Sequence, residues 1–125
     1  MKLYLKLLLG WIIAMLILTW TPGEALPKPE FLDINIIEFS AHFGMFLVFS
    51  FLLAGYVHYK DESGISKGKI FITVIIISLI FSLVTEGGQL IIPGRYFDVL
   101  DMVMNLMGTL IGIWLFFQKI KYFSN

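Results

Sequence analysis

The sequence contains no cysteine, so it offers neither a disulfide framework nor a thiolate metal site. It is also poor in charge: 14% of its residues are ionised, against about 25% in a soluble domain, too few to cover a water-facing surface. Net charge is zero, which removes any bulk attraction to nucleic acid. No basic stripe or nucleic-acid motif restores that option. No internal repeat is visible, which leaves an inverted-repeat transporter without support.

What the chain does have is apolar sequence, 58% of its 125 residues, within a length that allows one domain. Four runs stand out: 3–20, 36–57, 70–92 and 99–117. Each is near the roughly 20 residues needed to cross about 30 Å of hydrocarbon. Backbone groups in lipid must satisfy one another, so each run is expected to be a helix. The fold class is therefore an all-α integral membrane protein, a bundle of four transmembrane helices. Lys2 and Lys6, ahead of an apolar middle, also suit a cleaved signal peptide. The first run exceeds the usual core of about 7–15 residues and no A-x-A site follows, so it is read as a span.

Lysine and arginine set the orientation. Lys2, Lys6, Lys60, Lys67, Lys69, Lys119 and Lys121 fall on one side of a four-span chain, and only Lys28 and Arg95 on the other. The expected topology has both termini and the 58–69 loop in the cytoplasm. Aromatic belts agree: Tyr4, Tyr56, Tyr59 and Tyr122 at the inner boundary, Trp20 and Tyr96 at the outer. Of the outward loops, 21–35 is broken by Pro22, Gly23, Pro27 and Pro29. Pro93-Gly94 predicts a tight turn that makes the last two spans a hairpin.

The spans carry polar residues in a pattern. His42, Glu86 and Asn105 each lie six positions inside the expected outer boundary (Ile36, Ile92 and Val99), a shared depth of roughly 9 Å at the helical rise. Glu38 and His42 share a helix face, as do Glu86 and Gln89, and as do Asp98, Asp101 and Asn105. Gly108 and Gly112 continue the last face inward, where small residues let helices approach closely. Ionised groups in a span cost about 2.5–3.5 kcal/mol each on insertion scales, so they must be paired or used. Arg95 with Glu86 or Asp101 is the expected ion pair, and His42 with a carboxylate the expected acid–base pair, the carboxylate fixing the imidazole tautomer. His42, Glu86 and Asp101 are the candidate catalytic residues. Gln89, Arg95, Asp98 and Asn105 are the candidate ligand-binding residues. A purely structural hydrogen-bond network is the competing reading. Zinc could take His42 with two carboxylates, but with one histidine on this side and no ligand-spaced pair, neither a metal nor a cofactor is expected. His58, at the inner boundary, reads as an interfacial side chain. Phe43, Phe46 and Phe49 read as packing or lipid contact, and Met102, Met104 and Met107 as filler.

In chain order these residues are His42-Phe43-Gly44-Met45-Phe46, Glu86-Gly87-Gly88-Gln89, Pro93-Gly94-Arg95, Asp98, Asp101, Asn105 and Gly108. The set resembles the VanZ-like family of bacterial membrane proteins. The resemblance covers the second to fourth spans and implies a single VanZ-like transmembrane domain, 1–125, in the bacterial cytoplasmic membrane. The family's founding member is associated with low-level resistance to teicoplanin; no reaction is implied. Three functions remain in view. The first is action at the outer leaflet on a cell-envelope component, either a membrane lipid headgroup or a lipid-linked precursor. Arg95 would grip an anion and His42 with Glu86 would move protons. With no activated hydroxyl or thiol, although Thr85 adjoins the group, a covalent mechanism has little support. The second is a non-enzymatic membrane scaffold whose cluster is structural. The third, an ion pathway, is disfavoured because the inner halves of the spans carry almost no charge.

Overall fold

The computed structural model describes residues 1–22, 25, 34–61 and 64–123. Four helices account for most of them: α1 (Lys2–Trp20), α2 (Ile34–Lys60), α3 (Lys67–Gln89) and α4 (Val99–Phe123). All four are long and apolar enough to cross a membrane, and no strand occurs among the described residues. Most of the outward loop expected at 21–35, including Gly23, Pro27, Lys28 and Pro29, lies outside them, as does Ser63.

The distribution of polarity identifies the solvent. On α3 the buried residues include Ser78, Ser82, Thr85, Glu86 and Gln89, whereas Ile72, Ile76, Ile80 and Leu83 face outward. On α4 Asp101, Asn105 and Thr109 are inside while Val103, Leu110 and Trp114 are outside. In water this arrangement would forfeit the hydrophobic driving force; in lipid the apolar face is the solvated one and polar groups are satisfied within the bundle. The protein is a multi-pass membrane protein.

The helix ends depart from the apolar runs for local reasons. α3 begins at Lys67, before the run at Ile70, because Ser66 caps it, accepting from the Lys69 N–H at 3.3 Å. It ends at Gln89 rather than Ile92. Leu90, Ile91 and Ile92 donate to the carbonyls of Gly87, Gly88 and Gln89 in a tightened last turn. Pro93 disfavours helical geometry in the residue before it. The Pro93-Gly94 turn forms as expected, closed by Arg95 N–H to Ile92 O at 3.2 Å, with Gly94 at φ 72°. Proline followed by a left-handed glycine is the type II signature. α2 and α4 run on past their apolar runs to Lys60 and Phe123.

α2 and α4 pack most closely, and their glycines explain why. A Cβ on Gly108 would strike the backbone of Phe43 and Leu47, and one on Gly112 would strike Leu47 O and the Ser50 hydroxyl. Two glycines one turn apart form a groove in which the α2 backbone lies. Deeper in the bundle Phe46, Phe49 and Phe81 form an aromatic cluster, Phe49 stacking on Phe81 at 4.9 Å between centroids. At the lysine-rich end Phe116 packs against Tyr4, Phe51 and His58. α1 is joined to this core by the Trp11 indole, which donates to Met45 O at 3.0 Å.

Candidate functional site

The polar residues of α2, α3 and α4 meet at the end of the bundle where α2 and α4 begin and α1 and α3 finish. Asn105 is the hub. Its Nδ2 donates to Ser82 Oγ at 2.8 Å and to Glu86 Oε1 at 3.3 Å, and its Oδ1 lies 3.0 Å from His42 Nδ1. A carbonyl oxygen can only accept, so His42 Nδ1 carries the proton and donates. His42 Nδ1 also stands 3.4 Å from Glu86 Oε1, and Nε2 stands 3.4 Å from Asp101 Oδ2. The imidazole therefore lies between the carboxyl groups of Glu86 and Asp101. His42, Glu86, Asp101 and Asn105 are all at most 3% exposed.

Gln89 completes the floor. The carboxamide orientation that satisfies its neighbours directs its NH2 to Glu86 Oε2 at 3.0 Å and Tyr96 O at 3.2 Å. In the other orientation the NH2 would reach Thr19 O at 3.3 Å instead. The first is preferred because it gives Glu86 Oε2 a donor, and a buried carboxylate oxygen left without one is the costlier choice. Glu86 then accepts amide donors on both oxygens.

Arg95 does not pair with Glu86 or Asp101, as the sequence pattern suggested. Its Nη1 donates to Glu38 Oε1 at 2.7 Å, while Nε and Nη2 donate to Thr21 O and Leu18 O, each at 3.2 Å. The last carbonyls of a helix have no partner within it and form a negative pole that attracts cations. The end of α1 thus holds the guanidinium over the rim of the site, beside the first turns of α2. Glu86 lies below, already supplied with donors. A double-mutant cycle in detergent should show coupling of about 0.5–1 kcal/mol between Arg95→Ala and Glu38→Ala. The cycles of Arg95 with Glu86 and with Asp101 should give less, and a larger value in either would mean that the pairing is misassigned.

Asp98 caps α4, its Oδ1 accepting from the Leu100 N–H at 2.7 Å. The Thr85 hydroxyl donates to Ser82 O at 3.0 Å, so it is occupied locally, while Thr85 O accepts from the Trp20 indole at 3.3 Å. Gly88 faces that indole, with no room for a Cβ. Two contributors were not singled out as site residues from the sequence. Ser82 lies one turn below Glu86, and that spacing was the available signal. Glu38 was visible as the face-mate of His42. Together Glu38, His42 and Asp101 offer three oxygen and nitrogen atoms within 4.8 Å of one another. Spacing within one helix could not reveal that trio, because its third member comes from α4. His58 sits at the opposite end among Tyr59 and Phe116, apart from the group.

Comparison with known proteins returns one family. No curated protein and no solved structure matches the chain. The model of the VanZ/LLP1 family matches residues 4–122, so it takes in α1 as well as the spans that carry the polar pattern. On that coverage the chain belongs to the VanZ/LLP1 family.

Proposed function

We propose that this VanZ-like protein acts at the outer leaflet of the bacterial cytoplasmic membrane, on or with a cell-envelope component. The component would be a lipid headgroup or a lipid-linked precursor, and both termini would be cytoplasmic. One observation carries the reading: a buried polar group, His42 between the carboxyl groups of Glu86 and Asp101, lies at the end of the bundle opposite seven of the eight lysines. The positive-inside tendency directs that end outward. Glu38, with 39% of its side chain exposed, and Arg95 form the rim. A phosphate or carboxylate would bind there by exchanging with Glu38 for the Arg95 Nη1 donor, while His42 and its carboxylates handle protons below.

If so, expression in a susceptible bacterium changes sensitivity to teicoplanin, and changes vancomycin sensitivity less because that drug lacks the lipid tail. Glu86→Gln or Asp101→Asn abolishes the effect at matched protein level. Full protection by both variants would remove the cluster from function.

A second reading, a non-enzymatic scaffold, is favoured by one specific observation. Arg95 and Asp98 are already engaged in closing the ends of α1 and α4. On that reading Asp101→Asn lowers the amount of folded protein instead of removing an activity from protein that is present.

A further inference from the structure

We infer that Glu38, His42 and Asp101 form a binding site for a divalent transition-metal ion of the zinc class. The inference uses the residues of the proposed function but not its substrate: metal binding is read on purified protein and drug sensitivity in cells, so either can fail alone.

The first ground is the state of the imidazole. Asn105 Oδ1 holds the proton on Nδ1. In neutral imidazole Nε2 is then a lone pair, and it faces Asp101 Oδ2 at 3.4 Å. Two acceptors face one another across that distance, inside the bundle, with His42 3% exposed. A cation between them resolves the opposition. A histidine that ligates a metal through one nitrogen almost always donates from the other to a fixed oxygen, which is what Asn105 provides.

The second ground is Asp101. Its Oδ1 is buried without a hydrogen-bond partner. A carboxylate with one oxygen against a histidine lone pair and the other unsatisfied is expensive in lipid; coordination through Oδ2 removes the opposition and neutralises the charge that the second oxygen shares.

The third is geometry. Glu38 and His42 are one turn apart on α2, Asp101 approaches from α4, and the three ligand atoms lie within 4.8 Å of one another. Ligands about 2.0–2.2 Å from a tetrahedral ion are roughly 3.3–3.6 Å apart, so a small inward movement suffices. Glu38 can make it, since its side chain is part-exposed and Arg95 holds only Oε1. Two carboxylates balance the dication. The nearby Arg95 charge opposes it, and Glu86, bonded to Asn105, offsets that opposition. One imidazole and two carboxylates make a mixed nitrogen–oxygen set with a fourth position open at the rim, the pattern of a site that takes a water or a ligand oxygen.

The experiment is zinc titration of the full-length chain, purified in detergent without a histidine tag, stripped with chelator and measured by calorimetry and by metal analysis after desalting. One equivalent is expected. Glu38→Gln, at the part-exposed rim, should fold normally and bind at least about tenfold more weakly. His42→Gln should lose binding, and His58→Gln should bind as the unaltered protein does. Cobalt substituted into the unaltered protein should give visible d–d absorption of a four-coordinate site, a readout that depends on no variant. Absence of stoichiometric zinc and of the cobalt spectrum, or full binding by Glu38→Gln and His42→Gln, would overturn the inference and leave a proton between His42 and Asp101.

Discussion

Gly108→Ala should lower the stability of the folded protein by about 3 kcal/mol, the upper part of the overpacking range. The added methyl meets the backbone carbonyl of Phe43 and the backbone nitrogen of Leu47, not the end of a flexible side chain. Backbone cannot rotate out of the way, so α2 and α4 must separate. Separation would loosen every hydrogen bond that crosses between them, His42 to Asn105 included. Gly112→Ala should act in the same direction through Leu47 O and the Ser50 hydroxyl, and the double variant should fail to accumulate. Gly87→Ala is the matched control. It too is helical, but a Cβ there meets nothing within 4 Å, so relief of backbone entropy should leave it neutral or more stable by up to about 1 kcal/mol. The check is a steric-trapping or detergent-unfolding measurement of the three single variants. Equal stability of Gly108→Ala and Gly87→Ala would mean that the helices do not pack through this groove.

Asn105→Leu should be nearly as damaging, by about 2–4 kcal/mol, for a different reason. Leucine fills the space but offers no donor and no acceptor. His42 Nδ1 loses its acceptor and Glu86 Oε1 its amide donor, both fully buried. Each buried group left unsatisfied costs about 1–3 kcal/mol. Ser82 Oγ loses its donor as well, a smaller effect because a hydroxyl can turn to its own backbone. Thr109→Val is the comparison. The Thr109 hydroxyl donates only to Asn105 O, one turn back on its own helix, so its removal should cost less than about 1 kcal/mol. Unfolding free energies measured side by side decide it. A loss for Asn105→Leu no greater than that for Thr109→Val would mean that Asn105 is not the hub.

The spans were legible in the sequence because lipid imposes a severe rule: a run of apolar residues long enough to cross must be helical. Helix ends were less so, since Ser66 and Pro93 act through backbone geometry that hydropathy does not register. Within a helix, spacing sufficed. Asp101, Asn105, Gly108 and Gly112 do share the buried face of α4. Between helices it did not. The pairing of Arg95 with Glu38 depends on where α1 ends, because the carbonyls of Leu18 and Thr21 locate the guanidinium. Charge pairing alone pointed to the nearer carboxylates in sequence. Asp98 is a different case. An aspartate immediately before a helix is an N-cap signal, but its three-residue step to Asp101 made it look like a member of the buried stripe.

The claim on which the functional reading rests is that the His42 group faces outward across the membrane. Cysteine labelling tests it without interference, because the protein has no cysteine of its own. Single substitutions Lys28→Cys and Ser63→Cys would be exposed, in intact cells, to a thiol reagent that cannot cross the membrane. Lys28→Cys should label before lysis and Ser63→Cys only after it. Labelling of Ser63→Cys in intact cells, with Lys28→Cys protected, would put the acid–base group at the cytoplasmic face and contradict an action on the envelope side.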